Sequence, residues 1–226
     1  LTEGSPLRRP GPDGLRRNAK IALANARGRR ALPLIATTTD PRPPITSPRL
    51  RGEPVELRHA PAMTRALSDP RIWRYLPDGA PTLERLERQY AFLTAGKSPD
   101  GTEHWLTWIL FEHGTAPDPI GFIQATIKEP AAAHIAYVLQ PSHWRRGYAR
   151  EAISALLDLV FARYRVARAV AEMDMRNEAS IALAHSLGFR HAGTSETPTG
   201  QEHAYELTPV DWAAYSHPRC SGSPSS

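Results

Sequence analysis

Cys220 is the single cysteine among the 226 residues, which excludes a disulfide framework and a multi-cysteine metal cluster. Lysine is almost as scarce. It supplies three of the 28 basic side chains and arginine the other 25, a compositional bias more than the mark of a nucleic-acid surface. No stretch approaches the roughly 18 consecutive apolar residues that a membrane helix requires, and the longest candidate, Ile153 to Phe161, is interrupted by Asp158. The opening residues lack the pattern of a secretory signal. The nine histidines form no ligand-like cluster: His185 and His191 straddle a helix end, and His104 and His113 sit at opposite ends of one strand. These absences lead to the expectation of a soluble, cytoplasmic protein with no metal and no membrane partner.

What is present is unevenly spread. Residues 1–51 hold eleven basic and three acidic side chains, a net of +8, so residues 52–226 carry −3 of the overall +5. The basic character belongs to the N-terminal segment. That segment is broken by Pro6, Pro10, Pro12, Pro33, Pro41, Pro43, Pro44 and Pro48, and only 14–30 has the make-up of an isolated basic helix. Too little apolar surface is available there to offset the entropy of ordering. Residues 1–49 are therefore expected to be a disordered Arg/Pro-rich tail, 50–215 one folded domain, and 216–226 a second disordered tail. A nucleic-acid arm, a transit segment and upstream sequence from a wrongly chosen start remain open as readings of the first. Nucleic acid enters as a partner only through this tail.

Within the body, Val55 to Arg58 alternates as a short strand, and Pro61 to Leu67 reads as a helix. Leu83, Leu86, Tyr90 and Leu93 fall on one face of a second helix opened by Pro81-Thr82. Trp105 to Phe111 is apolar on both faces, as a central strand requires. Ile120 to Ile123 and His134 to Leu139 continue an antiparallel sheet. Ile153, Leu156, Leu157, Val160, Phe161 and Tyr164 make an apolar helical stripe. After it come a strand at Arg168 to Met175, a helix at Ala179 to Leu187 stopped by Gly188, strands at Phe189 to Thr194 and His203 to Leu207, and a helical turn at Pro209 to Tyr215. A strand–helix–strand crossover implies a mixed sheet.

The informative stretch is Trp144-Arg145-Arg146-Gly147-Tyr148-Ala149-Arg150-Glu151-Ala152, between a strand and a helix. Gly147 and Ala149 let a ligand approach the backbone, and unpaired N–H groups at a helix N-terminus favour an anion, here flanked by Arg145, Arg146 and Arg150. Pyrophosphate is the natural guest.

This stretch resembles the acyl-CoA pyrophosphate loop, Q/R-x-x-G-x-G/A, of the GNAT N-acetyltransferases, with Trp144 in the first place. The Trp variant followed by Tyr148, Glu151 and Ala152 is similar to the RimJ/RimL-like branch, which acetylates ribosomal-protein N-termini. Arg176-Asn177-Glu178-Ala179-Ser180 with Leu187-Gly188-Phe189 is similar to the family's N-x-x-S…L-G-F signature, and Ser68 to Leu76 to its D-P-x-V-x-x-Y segment. The resemblance covers residues 50 to 215. It implies a GNAT acyl-CoA N-acyltransferase fold of α/β (α+β) class, a mixed, mainly antiparallel sheet of about six or seven strands with about four helices.

The resemblance also implies a reaction. Acetyl-CoA, as acetyl donor, would lie in a V between the strands ending near Leu139 and Met175, pairing with the main chain near Val138 and Leu139. Arg145, Arg146, Gly147, Tyr148, Ala149, Arg150 and Asn177 would contact the cofactor, Ser180 would serve the leaving thiolate, and Trp73 and Tyr75 would belong to the acceptor loop. The acceptor would be a primary amine, first a protein N-terminus and otherwise a small molecule such as an aminoglycoside, polyamine or amino acid. The enzyme would act as monomer or homodimer. A non-catalytic acyl-CoA-binding regulator is the competing class. Where the branch writes A-E-I-G-Y, this sequence has Ala133-His134-Ile135-Ala136-Tyr137, so His134 stands in place of the carboxylate as base. Its imidazole suits the acceptance of an ammonium proton. Glu103 and Glu172 are fallback carboxylates, with Glu172 the weaker because its strand face is expected to pack under a helix. Tyr137, with Trp105 and Trp108, reads as core.

Overall fold

The computed structural model describes residues 42–216 apart from 77–78, 99, 115–117, 129–131 and 198–199. The expected disorder of 1–41, the basic helix at 14–30, Cys220 and the tail beyond residue 216 lie outside the described residues. Alternation of side chains builds the sheet. In β3 (Glu103–Glu112), Leu106, Trp108 and Leu110 face one core while Ile109 and Phe111 face another, which is why the run is apolar on both faces. The strands are β1 (Ile45–Thr46), β2 (Leu50–Pro54), β3, β4 (Gly121–Lys128), β5 (Ala132–Leu139), β6 (Arg168–Asp174), β7 (Arg190–Thr197) and β8 (Gly200–Leu207). They lie in the order β1-β2-β3-β4-β5-β6-β8-β7.

Every neighbouring pair is antiparallel except β5–β6. That parallel pair is joined only through Ala132 opposite Arg168, Ala133 opposite Ala169 and His134 opposite Val170. Beyond those positions the strands part, leaving the expected V. Helices α1 (Ala60–Ala66) and α2 (Leu83–Leu93) cover one face, burying Met63, Leu86, Tyr90 and Leu93 against Ile109, Phe111 and Phe122. The other face packs against α3 (Tyr148–Arg163), α4 (Glu178–Ser186) and α5 (Pro209–Ser216) through Leu156, Leu157, Ala184 and Trp212.

Several expectations need correction. The described residues form eight strands and five α-helices, more than the six or seven strands and four helices read from sequence, and the closing turn is a full helix. The segment 42–49, assigned to the tail, is part of the body: Ile45–Thr46 pairs with β2, and the buried Arg42 guanidinium donates to the carbonyls of Leu93 and Thr94 at the end of α2. Val55 to Arg58 is not a strand. The strand lies earlier, and at Leu57–His59 the chain turns into a 3-10 helix whose His59 Nδ1 accepts the Glu56 N–H at 3.0 Å. Leu83, placed on the apolar face of α2, is 39% exposed. β4 also runs past Ile123 to Lys128, through polar residues that a hydrophobicity pattern does not anticipate.

Candidate functional site

A cavity of about 760 Å³ opens where β5 and β6 part, bounded by the loop before α3, the start of α4 and the segment between α1 and α2. Its phosphate-like end is built by backbone conformation. Arg145 and Gly147 both adopt left-handed φ, 61° and 81°, a shape that glycine takes freely and arginine at a cost. Gly147 is the N-cap of α3, and no side chain caps it, so the first N–H groups of the helix carry no capping partner. Trp144, first residue of the motif, donates its indole N–H to the Leu139 carbonyl at 2.8 Å and ties the loop to the end of β5. Arg145, Gly147, Tyr148, Ala149 and Arg150 border the cavity, with no ion-pair partner for Arg145 or Arg150 among the described residues. A pyrophosphate fits this cradle: uncapped N–H groups at the start of a helix, its dipole and two arginines border the same end of the cavity.

Arg146 does not border it. Its guanidinium instead lies 3.9 Å from Glu112 and 5.0 Å from the centre of the Tyr148 ring, on the outer side of the loop. Tyr148 borders the cavity, but its side chain is 2% exposed and its hydroxyl donates to Glu112. The alternation of the turn sends one arginine in and the next out, a distinction the cluster of three hid. The loop is held from outside by a residue that sequence reasoning left in the tail. Arg49 Nε–H donates to Glu151 at 2.6 Å, and its Nη1–H to the Arg146 carbonyl at 2.9 Å. Ser47 donates to the same carboxylate at 2.7 Å. Burial pushes the Glu151 carboxyl up, but hydrogen bonds from Ser47 and Arg49 and the charge of Arg49 outweigh it, leaving the pKa below the ordinary value.

At the reacting end, Tyr137 donates its hydroxyl proton to Ser180 Oγ at 2.9 Å, and both border the cavity. Burial raises the Tyr137 pKa, and the hydrogen bond to Ser180 offsets only part of the rise. Asn177 caps α4, its Oδ1 accepting the Ser180 N–H at 3.2 Å. That cap fixes the turn on which Ser180 sits. Asn177, Val138 and Leu139 also border the cavity. Tyr137 was missed as a functional residue because a tyrosine in an apolar strand reads as core; its place in the family-like Ala133 to Tyr137 strand was the available signal.

The structure corrects the placement of His134. It is 7% exposed, lies where β5 and β6 still pair, and is absent from the cavity wall. Glu172, the discounted carboxylate, borders the cavity, with its Oε2 3.5 Å from His134 Nδ1. The expected helix packing over Glu172 fails because β5 and β6 have parted at its level. Glu103 lies away from the cavity, paired with Lys128 at 3.3 Å and accepting the Trp105 indole N–H. Trp73 and Tyr75 do border the cavity, Trp73 anchored through its indole N–H to the Leu67 carbonyl at 2.8 Å. The arrangement can bind an anion at one end and, at the other, set a carboxylate and a tyrosine–serine pair around a reacting group. No group of three or more metal-ligating side chains occurs among the described residues, and none of their helices is long and apolar enough to cross a membrane.

A family model described as an acetyltransferase (GNAT) domain matches residues 49–190. An uncharacterised N-acetyltransferase, p20, of Bacillus licheniformis is 28% identical over 145 residues, which are 64% of this chain and 81% of p20. Among solved structures, a Salmonella typhimurium acetyl transferase described as modifying the N-terminal serine of ribosomal protein L7/L12 superposes with a TM-score of 0.64 at 19% identity, covering 74% of this chain and 99% of that one. The ribosomal-protein-S5-alanine acetyltransferase of Vibrio fischeri gives 0.64 at 17% identity, covering 75% and 98%.

Proposed function

The chain belongs to the GNAT acetyltransferase family, and from that premise we propose that it transfers acetyl from acetyl-CoA to the α-amine of a protein N-terminus by direct attack in a ternary complex. The observation that carries the reading is the meeting, in one cavity, of the uncapped α3 N-terminus, the parted edges of β5 and β6, and the Tyr137–Ser180 pair. The choice of a protein N-terminus is supported by the RimJ/RimL-like sequence of the loop and by the enzymes of ribosomal-protein N-termini among the superposable folds.

When bound, acetyl-CoA supplies a thioester carbonyl carbon and a thiolate leaving group. Arg145, Arg150 and the N–H groups from Gly147 to Arg150 hold the pyrophosphate. The free edges of Val138 and Leu139 pair with the pantetheine arm and turn an N–H towards the thioester oxygen, where negative charge develops. Asn177 presents Ser180 to the same arm. Glu172 takes the proton from the incoming ammonium, and His134, behind it, supports its charge. The amine nitrogen would then bond to the carbonyl carbon as the C–S bond breaks, and the second proton it sheds would make up for the one the thiolate takes from Ser180. Ser180, hydrogen-bonded to Tyr137, supplies the proton or hydrogen bond that the thiolate needs. Trp73 and Tyr75 flank the acceptor.

Steady-state CoA release with short peptides tests this. Glu172→Gln is expected to lower kcat by about 10²-fold or more while leaving the affinity for CoA intact, and His134→Ala to cause a smaller loss. Full activity in Glu172→Gln would remove Glu172 as the base, and failure of the wild type to acetylate any peptide would overturn the choice of acceptor.

A further inference from the structure

The segment between α1 and α2 roofs the acceptor side of the cavity, and its shape follows from one short turn. Asp69-Pro70 opens a 3-10 helix over Pro70–Trp73, in which the Asp69 carboxylate accepts the Arg71 backbone N–H at 2.9 Å. The turn sends Ile72 and Trp73 against the core under α1 and α2, and leaves Arg71 and Arg74 exposed. Arg71 is neutralised where it stands, its guanidinium donating to Asp69 at 2.6 Å and 3.0 Å. Arg74 is not. Its guanidinium carbon lies 5.3 Å from the centre of the Tyr75 ring, and it has no carboxylate partner among the described residues. Arg71, Arg74 and Arg85 all border the cavity, and among the described residues no carboxylate of the roof or of α2 does.

The floor opposite is acidic. Glu172 and Asp174 lie two residues apart on β6 and so share a face, about 6–7 Å from each other along the strand. Both border the cavity. Asp174 is taken up by Arg176, which donates to it at 2.6 Å and 2.8 Å, whereas Glu172 is left for the ammonium. Asp174 does most to hold up the Arg176 pKa, and Tyr75 adds a smaller electrostatic contribution, so the roof closes over the Asp174 end of β6, beyond Glu172. A ligand between roof and floor thus meets negative charge first and positive charge further out. The distance decides what carries the anion. In a free amino acid the carboxylate stays within about 4 Å of the nitrogen, too close to Glu172. A second residue begins one residue length, about 3.5 Å, further on, and its side chain reaches outwards from there.

We infer that Arg74 reads the second residue of the acceptor, and that this residue is acidic, aspartate or glutamate. The inference rests on the reading of the cavity as a site for protein N-terminal acetylation and adds to it the charge of the acceptor. A carboxylate at that place accepts hydrogen bonds from a guanidinium that no protein carboxylate holds, and a lysine there is repelled. The experiment uses the full chain and peptides identical except for a second residue of Asp, Glu, Gln or Lys. CoA release gives kcat/KM with acetyl-CoA, and calorimetry gives the binding of each peptide to the chain loaded with CoA. Both are repeated for Arg74→Gln, Arg74→Lys and Arg74→Glu, with their melting temperatures and their affinity for CoA alone.

The wild type is expected to favour the Asp and Glu peptides over Gln by about fivefold, the upper range of an exposed ion pair, and Gln over Lys by about as much. The preference shrinks between about 0.01 M and about 0.15 M salt. Arg74→Gln brings the Asp-to-Gln ratio towards one, Arg74→Lys keeps most of it, and Arg74→Glu turns the preference to Lys. Melting temperature and CoA affinity hold in all three. An Asp-to-Gln ratio near one in the wild type, or a ratio unchanged in Arg74→Gln, overturns the inference. So does a loss of CoA affinity in Arg74→Gln, which gives the arginine to the phosphates of the cofactor. Acid-selective binding without acetylation of any peptide overturns the proposed reaction and upholds Arg74 as the reader. Failure to bind any of the peptides overturns both.

Discussion

Arg49 grips Glu151, 102 residues further along the chain, with both its backbone and its side chain. The N–H of Arg49 donates to one carboxylate oxygen at 2.7 Å and the guanidinium to the other at 2.6 Å. The same guanidinium carbon lies 4.5 Å from the centre of the Tyr148 ring. A segment outside the folded body on sequence grounds thus encloses the first turn of α3. It also neutralises a carboxylate that would otherwise oppose a bound pyrophosphate.

Arg49→Gln is expected to weaken CoA binding about tenfold, or about 1.4 kcal/mol. An ion pair whose arginine is 46% exposed contributes under about 1 kcal/mol by itself, so the larger figure requires the loop to lose its shape. Calorimetric titration decides it: an unchanged Kd would mean that the loop holds its form without the clamp.

Glu151 gives the clamp an acid limit. Its folded pKa lies below the ordinary 4.5, so its contribution to stability is complete above pH 4.5 and is lost as the pH falls through the lower, folded value. The melting temperature of the wild type is expected to fall more steeply with acid below pH 4.5 than that of Glu151→Gln. Parallel curves would show that the carboxylate is not what titrates.

At Gly147 two substitutions separate shape from charge. Any side chain there must adopt φ of +81°, costing roughly 1–2 kcal/mol, and an added Cβ would stand 3.3 Å from Arg49 Nη2. Gly147→Ala is expected to weaken CoA binding and Gly147→Glu to abolish it, because the carboxylate repels the pyrophosphate as well. Equal Kd values for the two variants would leave strain as the whole effect.

Tyr137→Phe and Ser180→Ala are each expected to lower kcat by about 10²-fold with CoA affinity retained, and the double variant to lose little more, since the two act through one hydrogen bond. With its pKa raised above the ordinary 10.0, Tyr137 keeps its proton, so the wild type should show no alkaline loss of kcat from this group up to about pH 9. Fully additive losses, measured by the same CoA-release assay, would separate the roles of the two hydroxyls.

The fold was legible where periodicity carried it. The apolar stripe of α3, the doubly buried β3 and the glycine stop after α4, at φ of +86°, each follow from local rules. The loop motif led to the cavity through the same logic, because a glycine in left-handed geometry at a helix start has a chemical consequence. The site's finer assignment was not local. Glu172 faces the cavity only because β5 and β6 separate above His134, a tertiary event with no trace in either strand's alternation. Arg49 and Ser47 sit among prolines and arginines that read as disorder, and their role depends on a carboxylate that folding brings to them. Gln124 and Thr126 shortened β4 on paper because polar residues inside a strand count against it.

The three-residue junction between β5 and β6 has a mechanical meaning. It splits the sheet into a five-strand part, β1 to β5, and a three-strand part, β6, β8 and β7, which meet along a seam of only three residue pairs. Those few bonds close the base of the gap and none closes its mouth, so a ligand lying there touches both parts where the backbone does not join them. Once bound it ties the two parts together, and amide hydrogens flanking the seam should exchange with solvent more slowly.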